Sequence, residues 1–439
     1  EALRALLPLP IYGADLRQTS EGVLVNLLTD SPQARPALQQ AARALCETGQ
    51  VLSVAFSLRP EGSLRLLAGK AEVLCGPADA RHRLSDDAPF TYAVHGGFVQ
   101  AHAGQASYVY QQIRAELERE LDGLAGREVL ELFAGSGTLA LLLASSNAKV
   151  TAVEAYAATI DLVQRAAVEQ SLHLTHRAED AEHFLSAQNR SRKRYDAVIV
   201  NPPRRGLSPE LRGSLAALAP RCVAYLSCNP ETLARDLSHL AVLGLGAKRA
   251  EPLDMIPWSD AIEVLCWLTQ ALPPLPEVLH EDARFVAVAK PAHEPILEGK
   301  EYPGSLLARV KRLPGCQAAT AVERLDTAVS GVCWFAKSPS TELALRRALA
   351  SAERRYCVLV RGNLRKQGTI SRQRRDPDPL REGGSAAVGE GTRAVGAGTR
   401  YKKQAELGRH SLVHASSTAE DAREVLQAFA SIGHAVLGL

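Results

Sequence analysis

No run of eighteen uninterrupted apolar residues occurs anywhere in the 439 positions, so a membrane-spanning helix is not expected. The first residues, Glu1-Ala2-Leu3-Arg4, lack both a basic stretch and a clear apolar core, which excludes a secretory signal there. Eight cysteines are scattered at 46, 75, 222, 228, 266, 316, 333 and 357, with no Cys-x-x-Cys pair among them. That spacing gives no zinc or dithiol motif, so no metal is expected and the thiols read as reduced, in a cytoplasmic protein. No internal repeat stands out. Net charge is only +3, too small to argue for a nucleic-acid partner by itself.

What is present is a normal globular composition, 46% hydrophobic and 23% charged, on a chain too long for one ordinary core. Charge is unevenly spread. Residues 361 to 410 hold twelve Lys or Arg against five acids, leaving the remainder slightly acidic. Within that stretch Gly383 to Gly398 is rich in Gly, Ala and Ser, the composition of a mobile loop. Such a loop could follow a phosphate backbone, or be no more than a solvated insertion.

Proline marks a boundary at Pro273-Pro274-Leu275-Pro276, between the strand-like Ile262 to Leu268 and a new strand signal at Phe285 to Ala289. A softer break falls near 85 to 95. Upstream of the prolines, strand and helix signals alternate: Val129 to Phe133, Thr138 to Ser145, Val150 to Val153, Ala157 to Glu169, Tyr195 to Val200 and Cys222 to Ser227. This is the rhythm of a doubly wound α/β sheet, whose ligands sit at the carboxyl ends of its strands.

Three motifs fall at such ends. Gly135-Ser136-Gly137 makes a glycine turn, Asn201-Pro202-Pro203 follows a buried strand, and Ser227-Cys228-Asn229-Pro230 follows the next, with Glu263 35 positions after Cys228. A soft nucleophile, a carboxylate and a cofactor loop suggest methyl transfer to carbon. Carbon 5 of uracil is a poor nucleophile until a thiolate adds to carbon 6, and a base must afterwards remove the carbon-5 proton. Taken singly, Cys228 reads as a small buried strand residue and Glu263 as a solvated acid. The run from Gly135 to Ala140, with Glu154 beyond it, also fits a dinucleotide fingerprint, which makes a nicotinamide enzyme the formal competitor. Glu131 before the loop and the two later motifs favour S-adenosylmethionine.

Residues 89 to 270 resemble the catalytic domain of the RNA uracil-5-methyltransferases of the TrmA/RlmD type. The likeness runs through Phe98-Val99-Gln100, Glu131 to Gly137, Val153-Glu154, Asn201 to Gly206, Ser227 to Asp236, and Asp254 to Pro257 continuing to Ile262-Glu263. It implies a class I (Rossmann-like) fold, S-adenosyl-L-methionine as cofactor and RNA, ribosomal or transfer, as partner. By the same resemblance Gln100, Phe133, Gly135, Gly137, Thr138, Glu154, Asn201 and an acid at Glu179 or Asp180 line the cofactor site, while Cys228 and Glu263 carry the chemistry. Residues 1 to 88 would be the small central α/β domain that contributes to the RNA cleft. Asn201 stands where the family has Asp, removing a charge from the pocket. The family's N-terminal RNA-binding barrel and iron-sulfur cysteines have no counterpart here, which a truncated form and a naturally short one fit alike.

The last third resembles the RluA-like pseudouridine synthases. Ala289-Lys290-Pro291, Glu323 to Gly331 and Arg355 to Gly362 carry that likeness. It implies an α+β domain at 278 to 439, after a linker at 271 to 277 and with a basic flexible loop at about 365 to 400. In it Asp326 is the catalytic carboxylate, Tyr356 the aromatic beneath the base, and Arg324 the residue filling the vacated space. Glu323 replaces the family's His, and Leu426 falls where its last arginine should pair with Asp326. Arg423, one helical turn earlier, is the candidate substitute. A domain that isomerises uridine and one that only grips RNA are both open on this reading. A monomer is the favoured state.

Overall fold

A computed structural model describes residues 9–60, 69–97, 100, 102–255, 262–299, 304–323, 325–370, 398–417 and 422–437. The chain divides into two units, Glu1–Pro273 and Pro274–Leu439. Arg324, Phe98, Val99, Pro257 and most of the basic loop, 371 to 397, lie outside the described residues, as does the side chain of Arg423.

The first unit opens with a four-stranded sheet, β1 (Gly13–Gln18), β2 (Val23–Thr29), β3 (Val51–Leu58) and β4 (Ala71–Cys75), paired in that order. Helix α1 (Arg35–Glu47) packs on one face through Leu38, Ala42 and Leu45, whose spacing of four and three residues aligns them on one stripe. A hairpin of β5 (Asp79–His82) and β6 (Thr91–Val94) follows, leading to α2 (Ala103–Glu120). The hairpin spans the softer boundary near residue 88. It is fastened to α4 (Ala157–Glu169): the Tyr92 hydroxyl donates to Glu169 at 2.8 Å, Arg81 pairs with Glu169 at 2.9 Å, and the Arg165 guanidinium lies 3.6 Å from the Tyr92 ring centre.

The major sheet is built from β7 (Glu128–Leu132), β8 (Lys149–Glu154), β9 (Leu174–Ala178), β10 (Ala197–Val200), β11 (Cys222–Ser227), β12 (Leu245–Asp254) and β13 (Ile262–Gln270). Helices α3 (Thr138–Ser145), α4, α5 (Ala181–Ser191), α6 (Pro209–Leu218) and α7 (Pro230–Val242) connect them. Strand order is β12-β13-β11-β10-β7-β8-β9. Every residue of β10 and β11 is buried, as strands covered on both faces require, and each fully buried Val, Leu or Ile side chain contributes roughly 1.5–3 kcal/mol. The chain leaves β7 for β8 on one side and returns through β10 on the other, so the crevice beyond β7 and β10 is the switch point where doubly wound sheets bind ligands.

One departure from a purely parallel sheet matters. β13 runs antiparallel to both β11 and β12. Glu263 therefore stands at the beginning of its strand, not at a carboxyl end, and the reversed direction brings it to the edge where the parallel strands finish.

The second unit holds two four-stranded sheets. One joins β14 (Glu277–Glu281), β15 (Phe285–Lys290), β16 (Thr320–Ala321) and β17 (Gly331–Ala336), with α8 (Leu306–Val310) preceding β16. After α9 (Pro339–Ala350), the other joins β18 (Arg354–Arg361), β19 (Gln367–Ile370), β20 (Thr399–Leu407) and β21 (His410–Ser417), and α10 (Ala422–Ser431) closes the order. Each sheet has its own core, one around Val286, Val288, Cys333 and Phe335, the other around Val360, Val413, Ala415 and Phe429. Among the described residues no helix is long and apolar enough to cross a membrane, and no group of three or more His, Cys, Asp or Glu could hold a metal ion.

Candidate active site

At the end of β7 the backbone turns sharply. Phe133 adopts a left-handed φ of 62°, uncommon for a bulky side chain and a place where strain is stored. Gly137 has φ 70°, and a Cβ there would lie 2.7 Å from both methyls of Val163, so only glycine fits. The Glu154 carboxylate at the end of β8 shapes the turn, accepting from the Gly135 amide at 3.0 Å and the Tyr156 amide at 3.0 Å. Each of its oxygens keeps a further lone pair for a ligand hydroxyl.

These pieces line a cleft beside the glycine turn. Gln100, Phe133, Gly135, Thr138 and Asn201 line it, five of the eight positions inferred for a cofactor. Gly137 and Glu154 act from behind the turn. Asp180 caps α5, its carboxylate accepting from the Glu182 and His183 amides at 2.9 and 3.3 Å. Residues that the inferred cofactor set leaves out also contribute: Tyr110, His82, Thr91 and Tyr92 line the cleft beside Glu131. Tyr110 shares a side-chain hydrogen bond with Gln100, and burial raises its phenol above the usual range, with the charges of Glu131 and Glu263 adding to that effect. Only the family likeness at Gln100 pointed towards this wall.

Glu131 is buried at 5% exposure. Burial pushes its carboxyl up to about 8, against the opposing hydrogen bond from the Ala140 amide in the first turn of α3, and Glu154 raises it further. Its Oε2 has no hydrogen-bond partner. Because the folded carboxyl holds its proton at a pH where the unfolded chain has released it, stability from this group is present at low pH and is lost as pH rises from the ordinary glutamate range to about 8. Glu131→Gln removes that linkage. In urea titrations the variant should gain on the wild type by up to about 1.4 kcal/mol per pH unit between pH 5 and 8, then run parallel to it. Parallel curves across the whole range would rule the linkage out.

The Cys228 turn is set by its neighbours. Asn229 caps α7, its carbonyl oxygen accepting from the Glu231 and Thr232 amides at 3.0 and 3.3 Å, and Pro230 begins the helix. Beneath it lies Asp236, fully buried. Asp236 accepts from the Tyr225 hydroxyl on β11 at 2.7 Å and from the Leu207 amide at 2.7 Å, and pairs with Arg235 and Arg212. A Cβ at Gly206 would come within 2.5 Å of Asp236, which explains the glycine after Arg204-Arg205. The strand, the Asn-Pro-Pro loop and the cysteine helix are thus tied to one buried anion.

Register brings Cys228 and Glu263 together. Ser227 pairs with Val264 as the last rung of the β11–β13 ladder; Cys228 follows Ser227 and Glu263 precedes Val264, so both residues flank the same end of the pair. Glu263 is half-buried, burial raises its carboxyl above the usual range, and its Oε2 has no hydrogen-bond partner.

In the second unit Asp326 sits in the turn between β16 and β17, its Oδ1 accepting from the Ala328 amide at 3.0 Å. Lys290, at the end of β15, is almost fully buried and donates to the Thr327 and Pro291 carbonyls, both at 3.0 Å. Burial lowers its ammonium to about 8, while the charges of Cys333, Glu294 and Asp326 oppose the shift. Asp326 thus has a cation in its electrostatic neighbourhood although Leu426 supplies none. Glu323 pairs with Arg354 at 3.2 Å, fastening the Asp326 loop to the strand on which Tyr356 stands two residues later.

A glycine turn, a switch-point cleft and a strand-end cysteine near a half-buried carboxylate define the first unit as a class I methyltransferase fold. Residues 87–271 match the family model described as tRNA (Uracil-5-)-methyltransferase, and residues 284–430 match RNA pseudouridylate synthase. Residues 87–271 are thus similar to the uracil-5-methyltransferases and residues 284–430 to the pseudouridine synthases. The 23S rRNA (uracil(747)-C(5))-methyltransferase RlmC of Shewanella amazonensis is 31% identical over 56% of this chain and 62% of its own length. An uncharacterized RNA methyltransferase of Geobacter sulfurreducens is 33% identical over 40% of this chain and 35% of its own. Among solved structures, a Pyrococcus abyssi tRNA (uracil-54, C5)-methyltransferase in complex with S-adenosyl-L-homocysteine aligns at 25% identity and a TM-score of 0.47, covering 58% of each chain. The chain thus spans less than two thirds of the length of each of these relatives. The matched families leave the nicotinamide alternative without support.

Proposed function

We propose that the first unit transfers a methyl group from S-adenosyl-L-methionine to carbon 5 of a uridine in ribosomal or transfer RNA, in the cytoplasm. The observation that supports this reading is the end of the β11–β13 ladder, where Ser227 pairs with Val264 and Cys228 and Glu263 are the residues that flank that rung. The cleft suits the cofactor: Glu154 offers lone pairs for ribose hydroxyls, and Gln100, Thr138 and Asn201 offer polar contacts between the Phe133 and Tyr110 rings. Asp180, the N-cap of α5 just after β9, would hold the adenine. When bound, the cofactor supplies an electrophilic methyl group.

The protein's part begins with the Cys228 thiolate, which forms a bond to carbon 6 and pushes electron density onto carbon 5. Once carbon 5 carries its methyl group, the Glu263 carboxylate takes the carbon-5 proton. The electron pair left behind restores the ring double bond as the carbon-6 to sulfur bond breaks, returning the thiolate. Asn201 gives an uncharged amide at the cleft wall where an aspartate would be acidic. Incubation with unmodified RNA and methyl-labelled cofactor tests the reading: 5-methyluridine is the expected product, and label only on exocyclic amines overturns it.

The second unit is proposed to isomerise uridine to pseudouridine, with Asp326 as the carboxylate, Tyr356 beneath the flipped base and Arg324 filling the vacated stack. Lys290 supports this reading, since it places a cation near Asp326 without the family's arginine. Pseudouridine mapping of RNA incubated with the wild type should show product, and Asp326→Asn should remove it. No product from the wild type would leave RNA binding as this unit's role.

A further inference from the structure

His82 is 7% exposed, and neither ring nitrogen has a hydrogen-bond partner in the structure. Leaving a buried imidazole unpaired opposes folding, so its place in the cleft wall needs a reason. Position supplies one. His82 is the last residue of β5, paired across the hairpin with Thr91, and opposed residues of an antiparallel pair share a face. The Thr91 hydroxyl donates to the Ser136 carbonyl at 2.7 Å, which sets the His82 ring beside the glycine turn.

The polar groups around it are unequal in charge. Glu154 places a carboxylate at the base of the turn, Glu131 beside it keeps its proton up to about pH 8, and the Ser136 and Thr138 hydroxyls bond to each other at 3.0 Å. A ligand carboxylate is repelled by Glu154 and must find hydrogen-bond donors elsewhere in the wall. Burial lowers the basicity of His82, so the ring is neutral at neutral pH and presents one N–H and one lone pair.

We propose that His82 is a positioning residue for the amino-acid end of the cofactor, its ring N–H donating to the α-carboxylate. This rests on the methyltransferase reading and adds a specificity element to it: adenosyl compounds with an amino-acid tail are preferred over those without. Isothermal titration calorimetry of the full chain with S-adenosylhomocysteine and with 5′-methylthioadenosine, which lacks that tail, separates the possibilities. His82→Ala should weaken S-adenosylhomocysteine about tenfold to a hundredfold and leave methylthioadenosine within about twofold. His82→Asn, which keeps an N–H donor, should recover part of the loss, whereas His82→Phe, which keeps the ring volume, should not. This pair carries the test if the alanine variant does not fold. Equal weakening of both ligands, or no change in either, overturns the proposal while the methyltransferase reading stands. A wild type that binds neither ligand removes both.

Discussion

Cys228→Ala should abolish 5-methyluridine formation, by on the order of 10⁴-fold or more, because no other group can raise carbon 5 to a competent nucleophile. The loss is expected in chemistry alone. Cys228 does not line the cleft, so calorimetry should find cofactor affinity unchanged within about twofold. The alanine removes one sulfur from a turn whose shape is held by the Asn229 cap and the Asp236 network, so the fold should persist. Mass spectrometry of digested RNA gives the readout. Product within tenfold of wild type would sink the covalent route and leave Cys228 as a packing residue.

Glu263→Gln should act one step later. The thiolate still adds and the methyl group still arrives, but the carbon-5 proton has no acceptor, so the enzyme stays bonded to the RNA. Turnover should fall about 10²- to 10⁴-fold, and a protein–RNA adduct should survive denaturing electrophoresis. The adduct must vanish in the Cys228→Ala/Glu263→Gln double variant. A slow variant that forms no adduct would assign the proton removal to another base. The wild type adds a pH signature. Burial raises the Glu263 carboxyl above its ordinary range, and the base works only when ionised. The acid limb of kcat/KM should therefore lie above pH 4.3, the ordinary glutamate value of roughly 4.3, and should disappear in the glutamine variant.

Much of this site was legible in one dimension. Gly137 announces a turn that no side chain could enter, Asn229-Pro230 announces the start of a helix, and the fully apolar runs around Val198 and Val223 announce strands buried on both faces. These are local properties, set by backbone sterics and burial, so sequence carries them directly. The Cys228–Glu263 pairing was legible only as two motifs in order, because proximity across 35 residues depends on strand direction. β13 had to run antiparallel for its beginning to reach the end of β11.

The second unit shows the same division. Leu426 reads as the loss of a partner for Asp326, and Glu323 as a departure from pattern. Folding supplies Lys290 from a strand 36 residues earlier and fastens Glu323 to Arg354.

Sequence by itself determined the residue types available for chemistry and the turns and caps that expose them. Tertiary structure decided which groups share an environment. It raised Glu131 and Glu263 and lowered Lys290 by taking them out of water, and it placed His82 without a partner beside the glycine turn. Composition fixes what can ionise, whereas desolvation and neighbouring charge, which exist only after packing, fix when it does.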